Sequence, residues 1–277
     1  MRQRLACATL QPTMATDRLH IIGLQTDLRW RDPQANLNHF DGLLAPLEST
    51  PCDVVILPEM FTTGFSWPPV DAAPDAPQPL DWMQSWARRL DAAIVGSVAC
   101  HDGQGHARNR CWFVPPEGAP TFYDKRHLFS LAGEHNHFTA GEERSEVEYK
   151  GFRILLQVCY DLRFPVFSRN NGEHPYDMAI FVANWPATRA AAWRTLLQAR
   201  AIENQCYVAG INRSGADGNG HAYSGDSLIV DFAGTVLADA KSTGLPSTLK
   251  AVAVREELSA FRARLPFLDD ADRFTLG

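Results

Sequence analysis

The feature that most restricts how this chain can fold is a set of short apolar strand patterns that end on polar residues, with helical patterns between them. "DVVILPEM", "AAIVGSVA", "FRILLQVCY" and "DMAIFVANWP" are apolar without strict alternation, which is how strands covered on both faces read. Asp32-Pro33 offers an N-cap and a first-turn proline to a helix burying Leu37, Phe40, Leu44 and Leu47. A second helical face uses Met83, Trp86 and Leu90, and a third uses Trp193, Leu196, Leu197 and Ala201. The order repeats: "DVVILPEM", helix, "AAIVGSVA", "RCWFVPP" is echoed by "DMAIFVANWP", helix, "CYVAGINR", "SLIVDFAG". This predicts one α/β domain of pseudo-repeated halves over residues 14–277, with no Gly- or Ser-rich linker to divide it. Residues 1–13 precede Met14 and the first convincing strand, "LHIIGLQ", and are expected to be a disordered extension or the product of a misassigned start.

Charge and composition exclude several classes of function. A net charge of −6 and a pI near 5.8 give no reason to expect a polyanionic partner, and Arg88-Arg89 and Lys125-Arg126 are isolated pairs; no nucleic-acid partner is expected. Apolar runs such as "MAIFVANW" are too short to span a bilayer, and the N-terminal apolar segment is too brief for a secretory signal, so a cytoplasmic protein with no membrane partner is expected. The cysteines at 7, 52, 100, 111, 159 and 206 form no C-x-x-C pair and read as reduced thiols.

The polar residues at the strand ends carry the chemistry, because ligands of open α/β folds gather beyond the carboxyl ends of strands. "VVILPE" delivers Glu59, "ILLQVC" delivers Cys159, and "AIFVANWP" delivers Asn184 and Trp185; Lys125 follows the short β-like run in "FYDKRHLF". Singly, each has a plain alternative: a solvated loop glutamate, a surface lysine, a small buried thiol. Together they suit acyl transfer. A thiol attacks a carbonyl or nitrile carbon as thiolate, so it needs a base and a positive environment. "LLQVCYDLRFP" turns from strand to helix at Cys159, with Pro165 in the first helical turn, and a helix N-terminus there adds partial positive charge. The Tyr160 backbone N–H and the Lys125 ammonium are candidates to face a developing oxyanion. "GEHNHF" places Glu134 near Lys125, but the chain has neither H-E-x-x-H nor a Cys/His zinc pattern, so no metal is expected. "GADGNGHAYSG" matches no phosphate loop and reads as a turn between strands; no cofactor is implied.

"LPEMFTTGFS", "YDKRHLF", "VCYDLRFP" and "ANWPATRAAAWRTLLQARAIENQCYVAGINRSG" resemble the nitrilase superfamily of carbon–nitrogen hydrolases from about Leu19 to about Glu257. "PEMFTTGFS" and "DKRHLFSLAGEH" look most like its bacterial omega-amidases, which act on 2-oxoglutaramate and 2-oxosuccinamate. The resemblance implies a four-layer α-β-β-α sandwich that usually pairs into a homodimer. It also implies Cys159 as nucleophile, Glu59 as general base, Lys125 as the cation stabilising the tetrahedral intermediate, and Glu134 as a second glutamate positioning substrate or Lys125. A small-molecule amide is the expected partner.

For the far end of such a substrate, Arg163 in "DLRFP" is the nearest candidate, with pairing to Asp161 or another buried acid as the alternative. Trp185, Phe65 and Phe138 are candidates for the walls of a small pocket, or equally for core packing. An N-carbamoyl amino-acid hydrolase or a nitrilase would keep Glu59, Lys125 and Cys159 behind another pocket, and a catalytically silent scaffold is the non-enzyme alternative.

Overall fold

The computed structural model describes residues 17–67, 78–241 and 243–272, and residues 1–13 and most of the Pro- and Ala-rich loop between Trp67 and Pro79 lie outside them. The first half comprises β1 (Arg18–Gln25), α1 (Pro33–Leu44), β2 (Val54–Ile56), α2 (Pro79–Leu90), β3 (Ala93–His101), β4 (Ala107–Val114), β5 (Thr121–Asp124) and β6 (Ser145–Tyr149). The second comprises β7 (Phe152–Val158), α3 (Pro165–Ser168), β8 (Met178–Ala183), α4 (Ala190–Asn204), β9 (Tyr207–Asn212), the hairpin β10 (Ser214–Ala216) and β11 (Ala222–Ser224), β12 (Leu228–Val230), β13 (Val236–Asp239), β14 (Ser247–Val254) and α5 (Arg255–Arg264).

Two six-stranded sheets result, ordered β14-β1-β2-β3-β4-β5 and β6-β7-β8-β9-β12-β13. In each, the second, third and fourth strands run parallel and the outer strands antiparallel. The echo seen in the sequence is therefore structural: β2, α2, β3 and β4 occupy in one sheet the places that β8, α4, β9 and β12 occupy in the other.

Burial shows how the layers stack. On β1, β2 and β3, Ile22, Val55 and Ile94 pack under α1 and α2 with Phe40, Met83 and Trp86. Their neighbours Ile21, Val54, Ile56 and Val95 join the other core, which includes β7, β8, β9 and α4. Because successive strand residues face opposite sides, one apolar run feeds both cores. This is the expected four-layer α-β-β-α sandwich. Asp32 caps α1 by accepting from Ala35 N at 3.0 Å, and Pro33 begins it. At Gly23 a Cβ would stand 2.2 Å from Ile211 Cδ1, so the absence of a side chain on β1 lets the two sheets approach.

Two expectations need correcting. "CDVVILPEM" is strand only over Val54–Ile56, so Glu59 lies in a turn beyond the strand end. The helix expected after Cys159 is a 3-10 turn over Cys159–Arg163 followed by the four-residue α3. Asp161 and the proline favour a tight turn over a long helix there, and so short a helix contributes little dipole. No described helix is long and apolar enough to cross a membrane.

Candidate active site

Four strand ends converge, and the residues that leave them are those singled out from the sequence. Lys125 follows β5, Cys159 follows β7, Asn184 follows β8, and Glu59 stands three residues past β2. Glu59, Lys125 and Glu134 are fully buried, and Cys159 is 8% exposed. Lys125 Nζ donates to Glu59 Oε1 at 2.8 Å and to Glu134 Oε2 and Oε1 at 2.9 and 3.1 Å.

Each carboxylate is held from several sides. Asn184 N donates to Glu59 Oε2 at 2.8 Å, while Asn184 Nδ2 donates to the Glu59 carbonyl at 2.6 Å. Asn109 Nδ2 reaches both acids, at 2.8 Å to Glu59 and 3.1 Å to Glu134. Asn109 is itself oriented by Ser97, whose Oγ donates to Asn109 Oδ1 and accepts from Met60 N, each at 2.9 Å. Phe129 N donates to Glu134 Oε2 at 2.6 Å. Buried charges are tolerated when paired and fully hydrogen-bonded, and this group meets that condition.

The electrostatics follow from the packing. Burial alone would pull the Lys125 ammonium below its usual pKa, but the charges of Glu134 and Glu59 outweigh it and hold the group well above. Burial, reinforced by Glu59 against the opposing pull of Lys125, raises Glu134. Burial and then the charge of Glu59 push the Cys159 thiol well above its usual value, with Lys125 pulling partly back. This environment favours the neutral thiol over the thiolate, with Glu59 beside it. Cys159 adopts φ +47°, a left-handed conformation uncommon for a non-glycine residue. This strained corner sets the sulfur at the mouth of the turn.

Cys159 opens into a cavity of about 320 Å³ whose walls include Phe65, Tyr160, Trp185 and Arg163. Phe65 and Trp185 are thus wall residues, and Phe65 also lies under the Lys125 ammonium, 5.2 Å from ring centroid to Nζ. Phe138 is buried and does not line this cavity, so of its two alternatives the core-packing one fits. The Arg163–Asp161 pair does not form. Asp161 is occupied by Tyr123, His127 and Val158, while Arg163 lies over the Trp185 ring at 4.8 Å. In "GEHNHF", Glu134 turns inward to Lys125 and His137 stacks on Trp67.

Sequence reasoning missed four contributors. Asn109 and Ser97 sit within antiparallel strands and carry no motif; Ser97 is marked by its polarity inside an apolar run, whereas Asn109 lies between two arginines and is not marked at all. Arg189 lines the cavity with its guanidinium over Phe129 at 5.3 Å. The β10–β11 hairpin, read as a simple turn, contributes Asp217, Asn219, His221 and Tyr223 to the wall. Among the described residues lining the cavity Asp217 is the one carboxylate, and Tyr223 OH and the Asn219 and His221 N–H groups already donate to it.

Comparison with known proteins identifies the family. The family model described as Carbon-nitrogen hydrolase matches residues 6–262. An "Omega-amidase YafV" of Yersinia enterocolitica is 53% identical over 253 residues, 91% of this chain and 96% of that protein. A "2-oxoglutaramate amidase" of Bacillus subtilis is 33% identical over 252 residues, 89% of this chain and 95% of that one. Among solved structures, a CN-hydrolase superfamily protein of Xanthomonas campestris, with an arsenic adduct in its active site, superposes with a TM-score of 0.86 at 44% identity, covering 94% of this chain and 99% of that one. The chain belongs to the carbon–nitrogen hydrolase family of the nitrilase superfamily.

Proposed function

We propose that this protein is an omega-amidase that hydrolyses the terminal amide of a small omega-amido 2-oxo acid, 2-oxoglutaramate or 2-oxosuccinamate, to the 2-oxo dicarboxylate and ammonia. The observation that carries the chemistry is the buried Glu59–Lys125–Glu134 cluster behind Cys159 at the cavity wall. The named activities of the Yersinia and Bacillus relatives support the substrate class.

In this reading Glu59 takes the Cys159 proton as sulfur adds to the amide carbon. A thiol held above its usual pKa suits deprotonation during attack rather than at rest. The C=O electron pair moves onto oxygen, where the Lys125 ammonium and the Tyr160 N–H receive the charge. Glu59 returns its proton to nitrogen, the C–N bond breaks, and ammonia leaves a Cys159 thioester. Glu59 then deprotonates water, which attacks the thioester, and the C–S bond breaks with the proton returning to sulfur. Amide plus water gives acid plus ammonia with no cofactor entering the balance.

Arg163 and Arg189, both in the cavity lining, take the substrate carboxylate and its neighbouring oxo group. Among the described residues neither guanidinium pairs with a carboxylate, and Asp217 is already saturated by its own hairpin. The test is ammonia release from 2-oxoglutaramate by the purified protein beside Cys159→Ala, with simple amides, an N-carbamoyl amino acid and an aliphatic nitrile in parallel. Turnover of the keto-amide that vanishes in the variant is the expected result. Turnover of another compound alone would overturn the substrate class, and turnover surviving Cys159→Ala would overturn the mechanism.

A further inference from the structure

Lys125 and Cys159 come from different sheets, so something must fix the distance between them. The Asp161 carboxyl group is fully buried and accepts from both sides. Its Oδ2 takes Tyr123 OH at 2.8 Å and Val158 N at 2.9 Å. Its Oδ1 takes His127 N at 3.1 Å and lies 2.7 Å from His127 Nδ1. Tyr123 and His127 flank Lys125 at two residues on either side, and Tyr123 OH also accepts from Arg126 N at 3.0 Å. Val158 and Tyr160 flank Cys159. One side chain therefore holds the Tyr123 hydroxyl and the His127 N–H on either side of Lys125 and the Val158 N–H at the sulfur-bearing corner. The His127 ring closes the clasp by stacking on Phe164, 3.8 Å apart and 7° from parallel.

A purely local role for Asp161 accounts for too little. Capping its own turn needs only the bond to Val158 N, whereas Tyr123 and His127 lie 38 and 34 residues away in sequence. Nor is Asp161 the partner of a cation in its own turn, since Arg163 points to Trp185. We propose that Asp161 is a positioning residue that sets the Lys125 ammonium and the Tyr160 N–H at the spacing an oxyanion requires, acting through Tyr123 and His127. This rests on the roles given above to Lys125 and Cys159. It is a demand of geometry: misplacement of about 1 Å in a reacting constellation can cost about a hundredfold in rate.

The experiment compares Asp161→Asn and Tyr123→Phe with the wild-type full chain, after circular dichroism and thermal unfolding establish that each is folded. Asparagine must turn an NH₂ toward N–H donors on one side of the clasp, whereas Tyr123→Phe deletes the bond from the Tyr123 hydroxyl to Asp161 and the one that hydroxyl accepts from Arg126 N, and leaves the other Asp161 bonds. For Asp161→Asn, kcat is expected to fall by roughly tenfold to a hundredfold while KM stays within about threefold, with a smaller fall for Tyr123→Phe. Alkylation of Cys159 by iodoacetamide, followed by mass spectrometry, should become faster as the corner loosens. A residue serving stability alone would lower the unfolding temperature and leave kcat of the folded enzyme unchanged. Values of kcat within about twofold of wild type for the folded variants, or a loss confined to KM, overturn the proposal. If Asp161→Asn does not fold, Tyr123→Phe decides by the same criteria. Rates are taken on whichever amide the wild-type protein turns over, so a wrong substrate class leaves this test intact. Should no amide be turned over, unchanged alkylation in the variants overturns the clasp.

Discussion

Replacing Glu134 by glutamine tests whether the second carboxylate acts by holding Lys125. Glu134 Oε2 lies 2.9 Å from Lys125 Nζ and 2.6 Å from Phe129 N, and Oε1 lies 3.1 Å from both Lys125 Nζ and Asn109 Nδ2. Glutamine keeps the volume but turns one oxygen into an NH₂, which must face Lys125 together with either Phe129 N–H or the Asn109 amide. Donor meets donor in both orientations. Breaking a buried ion pair costs about 3–5 kcal/mol, and because Lys125 keeps Glu59 the low end applies, about 3 kcal/mol. At roughly 2–4 °C per kcal/mol, the unfolding temperature should drop by about 6–12 °C. Deleting an oxyanion donor typically costs about 10²–10³ in kcat; glutamine displaces Lys125 without deleting it, so a loss of about tenfold to a hundredfold is expected. That corresponds to about 1.4–2.7 kcal/mol of transition-state stabilisation. Steady-state ammonia release below the unfolding temperature gives both constants, with KM expected to stay within about threefold. Unchanged kcat in the folded variant would refute the holding role, and a rise in KM alone would make Glu134 a reader of substrate instead.

The direction of the Cys159 shift sets the pH dependence of its reactivity. Burial and Glu59 favour the neutral thiol, so the thiolate fraction grows only as pH rises past the usual value of 9.0. Iodoacetamide alkylation of Cys159 should climb continuously through that pH; a plateau reached near neutrality would reveal a resting thiolate and remove the need for Glu59 as base. In the cavity wall, Arg163→Ala and Arg189→Ala should each raise KM for the anionic keto-amide by about tenfold, the low end for a hydrogen bond to a charged group. Equal effects on a neutral amide such as propionamide would show that these guanidinium groups shape the wall and do not read charge.

Two strand ends were legible because two-sided burial makes the parallel strands uniformly apolar, so Glu59 and Cys159 stand out where their runs stop, whereas Lys125 leaves the half-exposed antiparallel edge strand β5 and was marked by its surrounding motif. The pseudo-repeat was legible for the same reason, since both halves cover their strands alike. Local turn geometry was less accessible. "CYDLRFP" carries a first-turn proline, yet Asp161 is drawn into long-range bonds to Tyr123 and His127, and the segment becomes a 3-10 turn. Asn109 and Ser97 escaped notice because their partners are remote in sequence; Asn109 lies 50 residues from Glu59. Phe138 and Phe65 could not be told apart by composition, because both are aromatic residues next to motif residues. Only packing sends Phe65 to the cavity wall and Phe138 to the interior.

The repeated halves also explain how an asymmetric site arises from near-equivalent sheets. β2 and β8 hold equivalent places in their sheets, and the residues beyond them meet: Asn184 binds both the carboxylate and the carbonyl of Glu59. β1 and β7 are equivalent too, but β7 leads into the strained corner at Cys159, whereas β1 leads to Asp27, which bridges to Ser214 and binds Arg213 at the base of the hairpin. One half therefore presents the sulfur and the other anchors the cavity wall. Lys125 comes from β5, next to β4, and stands against Glu59 from the same sheet, so that sheet supplies both the acid and the cation. The sheet that bears the thiol supplies Asn184 and Asp161, which bind across to Glu59, Tyr123 and His127. Those bonds are made only when the two sheets pack face to face, so the alignment of sulfur, acid and ammonium is a property of the sandwich and not of either half.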